Sequence, residues 1–76
     1  MADPQKLLDG LGGDSNIIDL EPCITRLRVE VENGSLVNEP LLKAGGAIAV
    51  MQQGTVVQVI VGPQADNIAS DIEDLR

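Results

Sequence analysis

Apolar residues recur along this chain with two different periods, and the changes between them mark out seven elements. Leu7, Leu8 and Leu11 follow at helical spacing behind Asp3-Pro4, a capping residue and a proline suited to the first turn, and Gly12-Gly13 stops the helix. Asn16 to Leu20 is short and rich in isoleucine and predicts a first strand, with Ile18 and Leu20 on one face and Ile17 and Asp19 on the other. From Thr25 to Glu32 the alternation is complete. Leu27, Val29 and Val31 fall on one side and Arg26, Arg28, Glu30 and Glu32 on the other, which predicts a strand with one covered and one solvated face.

Asn33-Gly34-Ser35 is turn chemistry, and Asn38-Glu39-Pro40 leading through Leu41 to Ala44, closed by Gly45-Gly46, predicts a short helix. Ala47 to Gln52 and Thr55 to Val61 are aliphatic runs on either side of Gly54, the pattern of a hairpin, with Val57, Val59 and Val61 on a shared face. Gly62-Pro63 breaks the second run. Ile68, Ile72 and Leu75 then form the buried stripe of a terminal helix whose other sides are acidic. The order α-β-β-α-β-β-α predicts an α+β fold: a two-layer sandwich with a four-stranded antiparallel sheet and three helices on one face. Strand order within the sheet does not follow from the pattern. The strand-strand-helix unit occurs twice, without a repeat at the level of residues.

Composition narrows the function classes. A length of 76 residues holds one domain, spanning 1–76, close to the size at which a single core is only marginally stabilising. The chain has no aromatic residue, so its core is aliphatic. With 12 acidic against 5 basic residues its net charge of -7 repels nucleic-acid phosphates and anionic membrane surfaces, so no nucleic acid is expected as a partner. One cysteine and no histidine cannot build a disulfide or the common zinc sites, and neither metal nor cofactor is expected. A reducing, cytoplasmic setting fits this cysteine usage, and no stretch approaches the roughly 20 apolar residues of a membrane span.

The chemistry concentrates in Cys23-Ile24-Thr25-Arg26-Leu27-Arg28. Alternation along a strand places Arg26 and Arg28 on one face. Glu21-Pro22 argues that Cys23 lies at a turn and opens the second strand at an exposed rim. Backbone N–H groups in such a turn form an anion-binding nest, the Thr25 hydroxyl can donate to a phosphoryl oxygen, and arginine meets phosphate with a planar fork that never loses its charge. A lone cysteine in a small domain is more often a buried filler. Proline before it and Thr-x-x-Arg chemistry after it are poor surroundings for a core, and point instead to a thiolate that handles an anion.

Asn16-Ile17, five residues, and then Cys23-Ile24-Thr25-Arg26-Leu27-Arg28-Val29 resembles the phosphorylation-site motif of glucose-type enzyme IIB domains of the bacterial phosphoenolpyruvate-dependent sugar phosphotransferase system. The likeness extends to Leu11-Gly12-Gly13, to Val57-Gln58-Val59-Ile60-Val61-Gly62 and to Asp66-Asn67-Ile68. It implies a four-stranded antiparallel sheet with three helices on one side. It also implies that Cys23 accepts a phosphoryl group from a phosphohistidine of enzyme IIA and passes it to a sugar, glucose or N-acetylglucosamine, held by the membrane enzyme IIC. On the same resemblance, the Thr25 hydroxyl and the backbone N–H groups from Cys23 through Ile24 to Thr25 hold the phosphoryl oxygens, and Arg26 and Arg28 serve mainly the onward transfer to sugar. The domain would work in the cytoplasm at the inner face of the membrane through enzyme IIC, and in its unphosphorylated form could bind a transcriptional regulator. Pro22 departs from the family, which often has a small residue there.

Two readings from other classes compete. A thiol redox sensor would use the same arginine-flanked Cys23 but lacks a resolving cysteine, and a silent regulatory module would bind a ligand on the open sheet face. Individual residues also have plain readings. Arg26 and Arg28 could be a solvated strand face paired with Glu30, Glu32 or cross-strand acids, and Ile24 is either an exposed docking residue or core. Gln58 either orients the loop or merely faces water.

Overall fold

The computed structural model describes residues 2–76, and its elements follow the expected order. Helix α1 spans Pro4–Gly10, strand β1 Ile17–Cys23, β2 Arg26–Val31, helix α2 Glu39–Ala44, β3 Ala49–Gln53, β4 Val56–Ile60 and α3 Ala65–Asp74, with short 3-10 turns at Asp14–Asn16 and Gly34–Leu36. The four strands form one antiparallel sheet in the order β1-β2-β4-β3, so the hairpins β1–β2 and β3–β4 meet along β2 and β4. This α+β architecture, with the helices covering one sheet face, is the expected one.

The helix starts have local causes. Asp3 accepts from the N–H of Gln5 at 3.1 Å and of Lys6 at 3.3 Å, and Asn38 accepts from the N–H of Leu41 at 3.1 Å, each occupying donors that the first turn leaves free. Leu7, Leu11, Leu42 and Ile72 from the helices pack on Leu27, Val29, Val31, Val57 and Val59 from the two central strands, and all nine are fully buried. Helices α1 and α2 approach closely at Gly10, where a Cβ would stand 2.8 Å from the Leu42 side chain.

Strand β1 differs from expectation. It runs to Cys23 rather than stopping at Leu20, and Asn16 lies in the preceding 3-10 turn. Its register slips at Ile18: Ile17 pairs with Val31, but Asp19 pairs with Glu30. The extra residue of this bulge reverses the parity, so Ile17 is buried, Leu20 packs against the same core, and Ile18 is exposed. Strict alternation had put Ile17 and Leu20 on opposite faces. The terminal helix is shorter than its apolar stripe: Ile68 and Ile72 are buried, whereas Leu75 caps the end of α3 and is 47% exposed. β3 begins at Ala49 and β2 at Arg26, each slightly inside the expected range.

Candidate functional site

Cys23 does not open β2. It is the last residue of β1 and stands directly opposite Arg26, the first of β2, leaving Ile24-Thr25 as a two-residue hairpin loop. β1 is an edge strand, where a proline such as Pro22 is tolerated because no further strand needs its missing N–H. Directly opposed residues share a face, so Cys23, Arg26 and Arg28 all project from the open side of the sheet, as alternation predicts. The thiol is exposed.

Short hairpin loops favour a positive φ at the first central residue, and here that residue is Ile24, at +32°. Left-handed backbone is unfavourable for a β-branched side chain, and among the described residues Ile24 is the sole non-glycine that adopts it. The side chain gains no burial in return, being 90% exposed. Ile24 is therefore a rim residue and not core. The loop is pinned from below, where the Thr25 carbonyl accepts from the N–H groups of both Val61 and Gly62 at 2.9 Å. Among the described residues, the N–H groups of Ile24 and Thr25 meet no acceptor, so both donors stand free at the tip beside the thiol. Adjacent unspent donors of this kind are what an anion-binding nest requires.

Cys23, Ile24, Thr25, Arg26, Arg28 and Gln58 line one open depression of about 440 Å³. Arg26 donates from Nη1 to Gln58 Oε1 at 2.5 Å. Glu21 is opposite Arg28, yet among the described residues neither Arg26 nor Arg28 forms an ion pair; the ion pairs present belong to Lys43 and Arg76. The two guanidinium groups at the rim are thus not held in ion pairs, in a chain where acids outnumber bases more than twofold. A thiol, two free amide donors and two cations outside any ion pair on one concave rim can bind a tetrahedral anion and stabilise its charge during transfer.

Residues 5–38 match the family described as phosphotransferase system, EIIB. A curated relative from Streptomyces coelicolor, named as the N-acetylglucosamine-specific EIIB component of the system, is 54% identical over 71 residues, covering 93% of this chain and 92% of the relative. The chain belongs to the glucose-type enzyme IIB family. Enzyme IIB chains are phosphotransferase components of the sugar phosphotransferase system, and this one shares that membership along nearly its full length. The glucose-specific EIICBA component of Staphylococcus carnosus is 44% identical over 72 residues, 95% of this chain but 11% of that longer protein. Among solved structures, one domain of a IIabc component from Clostridium difficile superposes with a TM-score of 0.77 at 25% identity, covering 95% of this chain and 76% of that one. No helix among the described residues is long and apolar enough to cross a membrane.

Two residues outside the stretch from Cys23 to Arg28 bear on this hairpin. Gln58 touches Arg26, and its sequence signals are a polar side chain inside an apolar strand and a place in the stretch from Val57 to Gly62 that carries the family likeness. Asn16 is the single buried polar residue among those described. Its Nδ2 donates to the Leu11 carbonyl at 2.8 Å and the Asn33 carbonyl at 3.1 Å, and its Oδ1 accepts from the Asn33 N–H at 2.9 Å. These bonds clamp the end of the β1–β2 hairpin opposite the thiol.

Proposed function

We propose that Cys23 is the phosphoryl carrier of this enzyme IIB domain, and that residues 1–76 form a single phosphocarrier domain around it. In loading, the Cys23 thiolate attacks the phosphorus of a phosphohistidine on enzyme IIA; the P–S bond forms, the P–N bond breaks, and the imidazole regains its lone pair. In delivery, a sugar hydroxyl held by enzyme IIC attacks the same phosphorus, the P–S bond breaks, and Cys23 leaves as thiolate while the hydroxyl proton goes to a base outside this chain. The free N–H groups of Ile24 and Thr25 and the Thr25 hydroxyl hold the phosphoryl oxygens. Arg26 and Arg28 stabilise the charge spread over those oxygens, which is most of what a protein contributes to phosphoryl transfer.

The observation that carries this reading is the exposed Cys23 facing Arg26 across a two-residue loop with both central N–H groups unspent. A filler cysteine needs none of this, and a silent module would have no reason to keep Ile24 in left-handed backbone. The names of the relatives support N-acetylglucosamine first and glucose second as the sugar. The membrane acts here through enzyme IIC, at whose cytoplasmic side the domain would deliver its phosphoryl group. A transcriptional regulator that reads the unphosphorylated rim is a further partner in this reading.

Intact-mass spectrometry after incubation with phosphoenolpyruvate, enzyme I, the histidine phosphocarrier and an IIA protein tests the assignment. The wild type gains one phosphoryl group and Cys23→Ser gains none; loading of the serine variant would refute the thiolate role. Arg28→Ala is expected to slow delivery to sugar more than loading.

A further inference from the structure

We propose that Gln58 is a positioning residue for Arg26, holding its guanidinium over the thiol rim through a neutral amide so that the charge stays available to the phosphoryl group. This rests on Cys23 as the phosphoryl carrier. Gln58 lies in the middle of β4, half-buried, opposite Arg28 on β2 and opposite Met51 on β3. Its carbonyl oxygen is the acceptor for Arg26 Nη1. Among the described residues this is the sole side-chain hydrogen bond made by either rim arginine.

The choice of an amide follows from the charges around it. Directly opposed like charges destabilise a sheet, so a cation at position 58 would repel Arg28. A carboxylate would bind Arg26 by a charge-assisted, bidentate pair and would stand beside Arg28 as well, neutralising the cations that the phosphoryl oxygens require. An apolar residue would leave the long Arg26 side chain free to sample many rotamers, and fixing it would then cost entropy in every transfer. Glutamine supplies an acceptor at the right reach without a charge. On β4 no other residue can take this role: the remaining open-face residues of that strand are Val56 and Ile60, which have no side-chain acceptor.

The test compares Gln58→Met, which keeps the length and removes the acceptor, with Gln58→Glu, which keeps the shape and adds a charge. Three quantities are measured: the rate of Cys23 loading from a phosphorylated glucose-class IIA, the rate of delivery to labelled sugar in vesicles carrying an N-acetylglucosamine or glucose IIC, and the Nη signals of Arg26 by NMR in the isolated domain. In the wild type, hydrogen bonding slows rotation about the Arg26 Cζ–Nη bonds. Gln58→Met is expected to abolish that slow exchange and to slow delivery by about tenfold, the lower end for a hydrogen bond to a charged group. Gln58→Glu is expected to keep or strengthen the restraint and still slow delivery at least as much.

Delivery by Gln58→Glu as fast as wild type overturns the proposal. So does a change in either the Arg26 signals or the delivery rate of Gln58→Met without the other, or no change in both. The NMR arm needs no partner protein. A wild type that fails to load on Cys23 would therefore refute the carrier assignment while the Arg26 signals still report whether Gln58 holds it.

Discussion

The two hairpins of this domain share one frame and differ in what it carries. In each, a two-residue loop joins the strands: Ile24-Thr25 between Cys23 and Arg26, and Gly54-Thr55 between Gln53 and Val56. In each, the first loop residue has positive φ, +32° at Ile24 and +63° at Gly54, and the second is threonine. The threonine carbonyl in both accepts from the neighbouring central strand's end, Thr25 from Val61 and Thr55 from Val31 at 2.9 Å. Position by position, Cys23-Ile24-Thr25-Arg26-Leu27-Arg28 corresponds to Gln53-Gly54-Thr55-Val56-Val57-Gln58. The second hairpin has the glycine that its backbone asks for and no charge. The first has a nucleophile, two cations and an isoleucine where glycine would be easier. Where a frame is used twice and one copy breaks a local rule, the exception marks the working end.

A strained working end needs a firm anchor, and Asn16 provides it at the far end of the first hairpin. Asn16→Ala removes three hydrogen bonds and leaves the buried Leu11 carbonyl and the partly buried carbonyl and N–H of Asn33 without this partner. We expect a loss of about 2 kcal/mol, chiefly from the buried Leu11 carbonyl left unpaired, and a fall in Tm of roughly 10 °C for a domain of this size. Thermal unfolding checks this. A loss below about 1 kcal/mol would mean that the two hairpins are anchored alike.

The frame itself was legible in the sequence because both central strands alternate without error: Leu27, Val29 and Val31 in one, Val57 and Val59 in the other. The grouping of the candidate site residues was legible too, since a short motif carries most of them in one hairpin. What could not be read has particular causes. The bulge at Ile18 leaves no composition mark, and one extra residue brings Ile17 and Leu20 to the same face. Placing Cys23 at the start of β2 followed from treating Pro22 as outside any ladder, which holds for a central strand but not for an edge. Leu75 fits the helical period but lies at the end of α3, where the core no longer reaches. The Arg26–Gln58 bond depends on the strand order, which places β4 beside β2 and which hydrophobic patterning does not determine.

Exchanging the loop residues sharpens the comparison. Gly54→Ile places a β-branched side chain in left-handed backbone with nothing around it to clash, so backbone strain alone sets the cost. The expected destabilisation is about 1–2 kcal/mol, with loading of Cys23 unchanged. Ile24→Gly is expected to act in the opposite direction, stabilising by about 0.5 kcal/mol as strain is relieved against the extra chain entropy of glycine. Chemical denaturation of both variants measures the pair. If Ile24→Gly destabilised the domain, the isoleucine would be contributing to the fold, and the contrast between the loops would fail.

The arginines extend the comparison to charge, with the smallest expected effect. Arg76 is bound at both sides, its Nε donating to Asp14 at 2.5 Å and its Nη1 to Glu73 at 2.9 Å. The hydrogen bond that Arg76 donates to Asp14 raises the Arg76 pKa above its ordinary value, with burial opposing and Glu73 acting in the same direction as Asp14. A raised pKa contributes stability that is complete below the unfolded value and is lost only as pH rises through the folded one, beyond the range where the domain works. Arg76→Ala should therefore cost a nearly pH-independent amount across neutral pH on the arginine side, about 0.5 kcal/mol for a partly exposed pair, and should shrink with added salt. It should leave phosphoryl transfer untouched. Arg28→Ala should do the reverse, leaving stability within about 0.5 kcal/mol of wild type because no acid holds Arg28, while slowing delivery to sugar. Paired unfolding and transfer measurements on these variants separate an arginine that holds the chain from one kept free to hold a phosphoryl group.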